Sequence, residues 1–215
     1  CLVFNDSKVI HARLYGKKNT GAVIEVLLLK DMSSAKWQAL IKPAKRLKES
    51  DIIYFDDKEI TAKLLKKFDD GVCEIEFICN LNIYDKIERI GKMPLPPYIT
   101  DNSKYYDRYQ TVYAKNLGSA AAPTAGLHFT EELIEKIGKK GVKTAYVTLH
   151  VGLDTFRPIK AENIEDHKMH CEYYHITEKN AEIINAAKAD GNRIICVGTT
   201  SMRTLEEIGR ASCRE

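Results

Sequence analysis

Between residues 12 and 77 the apolar positions fall in short runs, several alternating with polar ones: 12–15, 22–29, 37–41, 52–55, 60–65 and 72–77. A period of two puts every second side chain on one face, the signature of a half-buried strand. Lys18-Asn-Thr-Gly21, Asp56-Asp57 and Asp69-Asp-Gly71 interrupt the runs with turn-forming residues. Six strands at this spacing predict a small barrel or sandwich. Residues 1–10 predict a strand, a turn at Asn5-Asp6-Ser7 and a second strand. In 80–92 the period changes: Leu81, Tyr84, Ile87 and Ile90 share one helical face. Pro94-Leu-Pro-Pro97 cannot extend that helix and marks the exit from the β-rich stretch. Residues 108–113, dense in Tyr, predict another short helix.

After residue 129 helices and strands alternate. Thr130 is placed to N-cap a helix with Glu131 and Glu132 in its first turn, and Lys139-Lys-Gly141 closes it, in the charge order that suits the helix dipole. A strand follows at 142–151, then a polar segment at 157–174. Thr177 opens a second helix, 178–190, which Gly191 stops. A strand at 193–197 turns through Gly198-Thr-Thr-Ser201 into a third helix near Met202. Strands alternating with helices imply an α/β layer on a mostly parallel sheet. The short apolar run 194–197 reads as a strand covered on both faces. The expected fold class is therefore α/β, a mostly parallel sheet domain with an inserted small β-barrel domain. The α/β domain is expected over 1–11 and 98–207, the barrel over 12–97, and 208–215 as a non-native tail whose plausible codons resemble a sequencing adapter.

Composition adds limits. The 215 residues suffice for one or two cores, and 44% apolar with 29% charged residues is ordinary for a globular chain. No apolar run approaches spanning length and no signal-peptide pattern is present. The six cysteines form no Cys-x-x-Cys pair, which suggests reduced thiols and a cytoplasmic protein. A net charge of +3 permits a nucleic-acid partner without requiring one.

Several segments carry candidate chemistry. Gly118-Ser-Ala-Ala-Ala-Pro-Thr-Ala-Gly-Leu-His-Phe129 is built of small residues, so its backbone N–H groups lie open to a ligand, and it ends at His128. Val147-Thr-Leu-His-Val-Gly152 delivers His150 from a strand to a glycine turn. The first segment alone is equally compatible with a tight structural turn. Gly198-Thr-Thr-Ser-Met-Arg203 leaves a strand and opens a helix, where N–H groups and hydroxyls can take an anion and Arg203 can clamp a carboxylate. An ordinary hydroxyl N-cap uses the same residues. Arg157 can reach a phosphate or carboxylate, or form a surface ion pair. His167-Lys-Met-His170-Cys-Glu172 could be read as a zinc site, but it has neither a second ligand cluster nor the order His-Glu-x-x-His, so polar site lining or a satisfied structural histidine is expected there in place of a metal. Lys42, Lys45, Arg46 and Lys48, with Lys63, Lys66 and Lys67 on another strand, suit a nucleic-acid face of a small barrel. Lysines that guard sheet edges are the competing account.

Val3-Phe-Asn-Asp-Ser-Lys-Val-Ile10, Gly91-Lys-Met-Pro-Leu-Pro-Pro-Tyr-Ile99, Tyr109-Gln-Thr-Val-Tyr113, Ala121-Ala-Pro-Thr-Ala-Gly-Leu-His-Phe129, Thr148-Leu-His-Val-Gly152, His167-Lys-Met-His170 and Val197-Gly-Thr-Thr-Ser201 occur in this order. In that set the chain resembles the S-adenosylmethionine:tRNA ribosyltransferase-isomerases of queuosine biosynthesis, from Cys1 to Glu206. The resemblance implies transfer and isomerisation of the ribosyl group of S-adenosylmethionine onto the aminomethyl group of 7-aminomethyl-7-deazaguanine at the tRNA wobble position. Epoxyqueuosine would form in the tRNA, with adenine and methionine released. It further implies S-adenosylmethionine as donor and the tRNA anticodon loop as partner; no metal, no membrane and a cytoplasmic monomer are expected beside it. Under it His128, His150 and His170 share the acid and base roles. Thr124, Ala125, Gly126, Gly152, Arg157, Gly198, Thr199, Thr200, Ser201 and Arg203 hold the donor, and Lys42, Lys45, Arg46 and Lys48 meet the RNA. His11 stands where the family usually has Pro, and Asp154 where it usually has Gly. The family carries further segments at both ends, so an inactive fragment is expected. The rivals are a non-catalytic RNA-binding module and a metal hydrolase using His167, His170 and Glu172.

Overall fold

The computed structural model describes residues 1–33, 35–57, 59–68, 71–80, 82–95, 108–152, 163 and 172–212. Two compact units divide the chain, Cys1–Val9 with Pro97–Glu215, and Ile10–Pro96. The first unit opens with β1 (Leu2–Asn5) and β2 (Ser7–Val9). The second holds β3 (Arg13–Lys17), β4 (Val23–Asp31), β5 (Lys36–Lys42), β6 (Ile52–Phe55), β7 (Ile60–Lys67), β8 (Val72–Cys79) and α1 (Ile83–Ile90). The first then resumes with β9 (Asn116–Ser119), α2 (Glu131–Lys139), β10 (Thr144–Leu149), β11 (Tyr174–His175), α3 (Glu178–Ala189), β12 (Ile195–Cys196) and α4 (Thr199–Ser212). Among the described residues no helix is long and apolar enough to cross a membrane.

The six predicted strands of the second unit close into an antiparallel barrel, in the order β3-β4-β5-β8-β7-β6. Their alternation fills the interior with Leu14, Ile24, Val26, Leu28, Ala39, Ile53, Ile60, Ala62, Leu64 and Ile75, all fully buried. Closure depends on β3 reaching β6, where Gly16 opposes Phe55 and Lys17 opposes Tyr54. A Cβ on Gly16 would lie 2.6 Å from Ile53 Cγ2 and 2.8 Å from the Tyr54 carbonyl oxygen, so only glycine lets the strands approach there. Asn82 caps α1 by accepting the Tyr84 N–H. Buried Lys86 donates to Asp57, 3.2 Å away, and to Glu59, tying the helix to the turn between β6 and β7. The Glu59 N–H, with Arg89 and Lys86, holds the Asp57 carboxyl down at about 2. His11 sets its Nδ1 3.0 Å from the Glu88 carbonyl oxygen.

In the first unit the sheet runs β11-β10-β1-β12, with β1 parallel to both β10 and β12 and β11 antiparallel at the edge. Val3, Ala145 and Val147 on one face pack with Ile184 of α3, and Leu205 of α4 lies against them. On the other face the Phe4 ring meets Tyr113, Phe129 and Tyr146 at centroid distances of 4.8, 4.9 and 5.9 Å. The helix caps follow the sequence: Thr130 accepts from the Leu133 N–H and Thr177 from the Asn180 N–H. Gly141 and Gly191 take positive φ just past α2 and α3.

Two local expectations are overturned. Among the described residues β12 stands at the sheet edge with Ile195 43% exposed, so 194–197 is not a strand covered on both faces. Residues 109–113 form bends and turns, not a helix. The Gln110 side chain both accepts the Val9 N–H and donates to the Val9 carbonyl, taking the place of a strand neighbour, while Tyr113 packs on Phe4. These tertiary contacts override a weak local preference. The start of the small-residue segment is a strand as well as a loop, since β9 pairs in parallel with β2.

Candidate functional site

A cleft of about 870 Å³ in the first unit runs along β10, from Thr144 at its start to His150 just past its end, and takes in Asp6 just after β1. Ligands of open parallel sheets bind outside the carboxyl ends of the strands, where the chain parts to either side. Asn5 makes that parting. Fully buried, it donates to the Leu149 carbonyl and accepts from the N–H groups of Leu149 and Ser7, so β1 stays joined to β10 while the chain turns into β2. The next residue, Asp6, lines the cleft. One carboxylate oxygen, Oδ1, accepts from Thr148 at 2.7 Å and from Asn116 at 2.9 Å.

His150 follows the last residue of β10 and lines the same cleft. Its ring stacks on Tyr173 with centroids 5.4 Å apart and planes 19° from parallel. Gly118 covers the ring too: at φ +144°, a Cβ there would lie 2.9–3.1 Å from the imidazole atoms. The ring's Nδ1 is buried with no hydrogen-bond partner among the described residues. Burial lowers the His150 pKa, because water no longer solvates the charged ring, and the Asp6 charge partly opposes that fall. The ring is therefore uncharged at neutral pH. Tyr113, Asn116, Tyr146, Tyr173, His175 and Asn180 line the cleft with it. Burial, then the neighbouring Tyr146, raises the Tyr113 pKa, so its phenol stays protonated.

The small-residue segments meet one another. Thr124–His128 is a 3-10 turn, in which a Cβ on Gly126 would collide with the Tyr113 hydroxyl. Ala125 touches Gly198, since a Cβ there would stand 3.2 Å from the Ala125 methyl. Thr199 begins α4, and Gly198 turns into it at φ +88°. The Ser201 hydroxyl is buried and donates to the Val197 carbonyl, and Thr200 Oγ1 is buried without a partner among the described residues. Gly152 and Arg203 are joined by Glu172. The Gly152 N–H donates to Glu172 Oε1 at 2.8 Å, and Arg203 Nη1 donates to Oε2 at 2.5 Å. His128 stands exposed at the end of its turn, outside the cleft lining, while the adjoining Phe129 is anchored on Phe4. Arg157, His170, His167 and Asp154 lie outside the described residues.

Sequence reasoning overlooks Asp6, which reads as a turn residue, and Tyr113, Asn116, Thr148, Tyr173, His175 and Asn180. The available signal is the parallel pairing itself: two strands ending side by side bring Asp6 and His150 together.

In the barrel unit Lys42, Lys45, Arg46 and Lys48 sit exposed on and beyond the end of β5. Lys67, expected beside them, turns inward and donates to the carbonyls of Ala44 and Leu47. Lys18 donates to the Arg46 carbonyl at 2.9 Å and to Asp51 at 2.7 Å. Because the barrel is closed, it offers no free sheet edge for these lysines to guard.

Residues 1–214 match a family model described as queuosine biosynthesis protein. Among solved structures, the chain is 31% identical to an S-adenosylmethionine tRNA ribosyltransferase from Thermotoga maritima, with a TM-score of 0.34. That match covers 97% of this chain and 55% of the other, so the chain spans about half the length of that protein.

Proposed function

This chain belongs to the queuosine biosynthesis protein family, and from that premise we propose that it serves S-adenosylmethionine-dependent ribosyl transfer to tRNA. In this reading the ribosyl group of S-adenosylmethionine is transferred to, and isomerised on, the aminomethyl group of 7-aminomethyl-7-deazaguanine at the wobble position. The product is epoxyqueuosine in tRNA, with adenine and methionine released. The observation that supports it best is His150, a neutral imidazole whose buried Nδ1 lacks a partner among the described residues, in a cleft of nucleoside-accommodating size.

The chemistry asks for such a group. A sulfonium acidifies the adjoining C5′ protons, so one positioned base suffices to take one. His150 is the base in this proposal. Gly118 and Tyr173 hold its ring plane, and Asp6 stabilises the imidazolium that forms. Protonation of the departing adenine falls to His128 or His170. The meeting of Thr124–Gly126 with the Gly198 turn supplies close backbone approach for the ribose hydroxyls and the methionine carboxylate. Glu172 ties Gly152 to Arg203 of α4. Lys42, Lys45, Arg46 and Lys48 meet anticodon-loop phosphates, where an unpaired base can leave the stack and enter a pocket.

Adenine release in the presence of tRNA carrying the deazaguanine tests the assignment, with S-adenosylmethionine binding measured by calorimetry. His150→Asn is expected to slow release by about 10²–10⁴-fold while binding persists. Near-normal turnover in both His150→Asn and His128→Asn removes the acid–base assignment.

A further inference from the structure

We propose that Tyr54 is a stacking platform for one unpaired RNA base, set beside a prebuilt row of cations on the barrel wall. This rests on the reading of the chain as a tRNA-modifying protein and adds an interaction with the base itself. The described barrel exposes three aromatic rings, Tyr15, Tyr54 and Phe68. Two are covered: Lys92 Nζ lies 5.3 Å from the Tyr15 centroid and Lys66 Nζ 5.0 Å from that of Phe68. Tyr54 is 43% exposed, and among the described residues no cation or ring lies over it. It points outward because Ile53 and Phe55 on either side are buried in the barrel.

Its neighbours are basic. The register puts Lys17 opposite Tyr54 on β3 and Thr61 opposite it on β7, with Lys63 opposite Ile52 on the same outer face. Lys18, next along the chain from Lys17, reaches the Arg46 carbonyl, so the turn at 44–46 lies close by. That turn is built from beneath. Lys18 and Lys67 take its carbonyls, and Leu47, 2% exposed, anchors it in the apolar interior. Side chains 42, 45, 46 and 48 then face solvent, with Glu49 the one acid in the stretch. Asp51 is spent on Lys18, whose ammonium keeps its carboxyl below the usual range. Cations that track a backbone beside an open aromatic face are how single-stranded RNA is held without sequence preference. A double helix cannot use the ring, because its bases are already stacked.

The test uses the purified chain and two probes, an anticodon stem-loop RNA with 2-aminopurine in its loop and a fully paired RNA of equal length. Tyr54→Ala is expected to weaken stem-loop binding about tenfold, with the salt dependence unchanged and the duplex unaffected. Tyr54→Phe keeps both the affinity and the fluorescence quenching. Equal binding by the parent and Tyr54→Ala, while a Lys42→Gln, Lys45→Gln, Arg46→Gln variant binds weakly, overturns the stacking role and leaves the tRNA reading standing. A parent chain that binds neither probe overturns both. Circular dichroism melts verify that each variant is folded.

Discussion

A charged imidazolium loses more from burial than a neutral ring does, and His150 is enclosed between Gly118 and Tyr173. The Asp6 charge pulls the other way but does not win, so the folded pKa lies below the ordinary value of 6.5. The unfolded chain therefore binds a proton near that value while the fold still refuses it. Stability from this residue is complete above about pH 6.5 and falls as pH drops through the window down to the folded pKa. An NMR titration of the His150 ring should give a midpoint below 6.5, and Asp6→Asn should move it lower still. A midpoint at or above 6.5 contradicts the burial argument. Urea unfolding at neutral and mildly acidic pH should show a smaller acid loss in His150→Gln than in the parent. At this scale His150 is visible in the sequence because it stands at a strand end before a glycine. Asp6 is not, because Asn-Asp-Ser is an ordinary turn composition and says nothing about which strand lies alongside.

Strands and helices follow their local patterns closely. All six barrel strands arise where apolar and polar positions alternate, and the two Thr caps start α2 and α3 as their side chains dictate. The exceptions are segments whose partners are remote. Residues 109–113 bend because Gln110 and Tyr113 bind residues about a hundred positions away, and β9 exists only because β2 lies beside it. Gly16 makes the same point within the barrel: in sequence it is one glycine in a strand, yet it lets β3 and β6 meet. Gly16→Ala should lower the unfolding free energy by about 1–3 kcal/mol in urea titrations. An unchanged midpoint would mean that the β3–β6 seam tolerates a methyl group and closure has another cause.

Across the whole molecule a net charge of +3 is small, and its placement matters more than its size. Four exposed cations gather within residues 42–48, held by a turn that two other lysines support. If they meet RNA phosphates, counterions are released on binding and affinity falls with salt. Replacing Lys42, Lys45 and Arg46 with Gln should make the slope of log affinity against log salt shallower by roughly 2, at about 0.7 for each single-strand phosphate that no cation neutralises any longer. A slope that does not change would move the RNA-binding surface elsewhere on the protein.

Alternation, turn residues and caps are properties of a few neighbouring residues. They sufficed to determine the strands, most helices and the two-texture architecture, because local sterics and one-sided burial act over that same range. The tertiary structure alone decided that the barrel closes, that Lys67 turns inward, and that Asp6, Tyr113 and Asn116 share a cleft with His150. Those outcomes depend on which strand ends lie side by side and how nearly two backbones can approach. Such distances join residues far apart in the chain, and no short stretch of sequence encodes them.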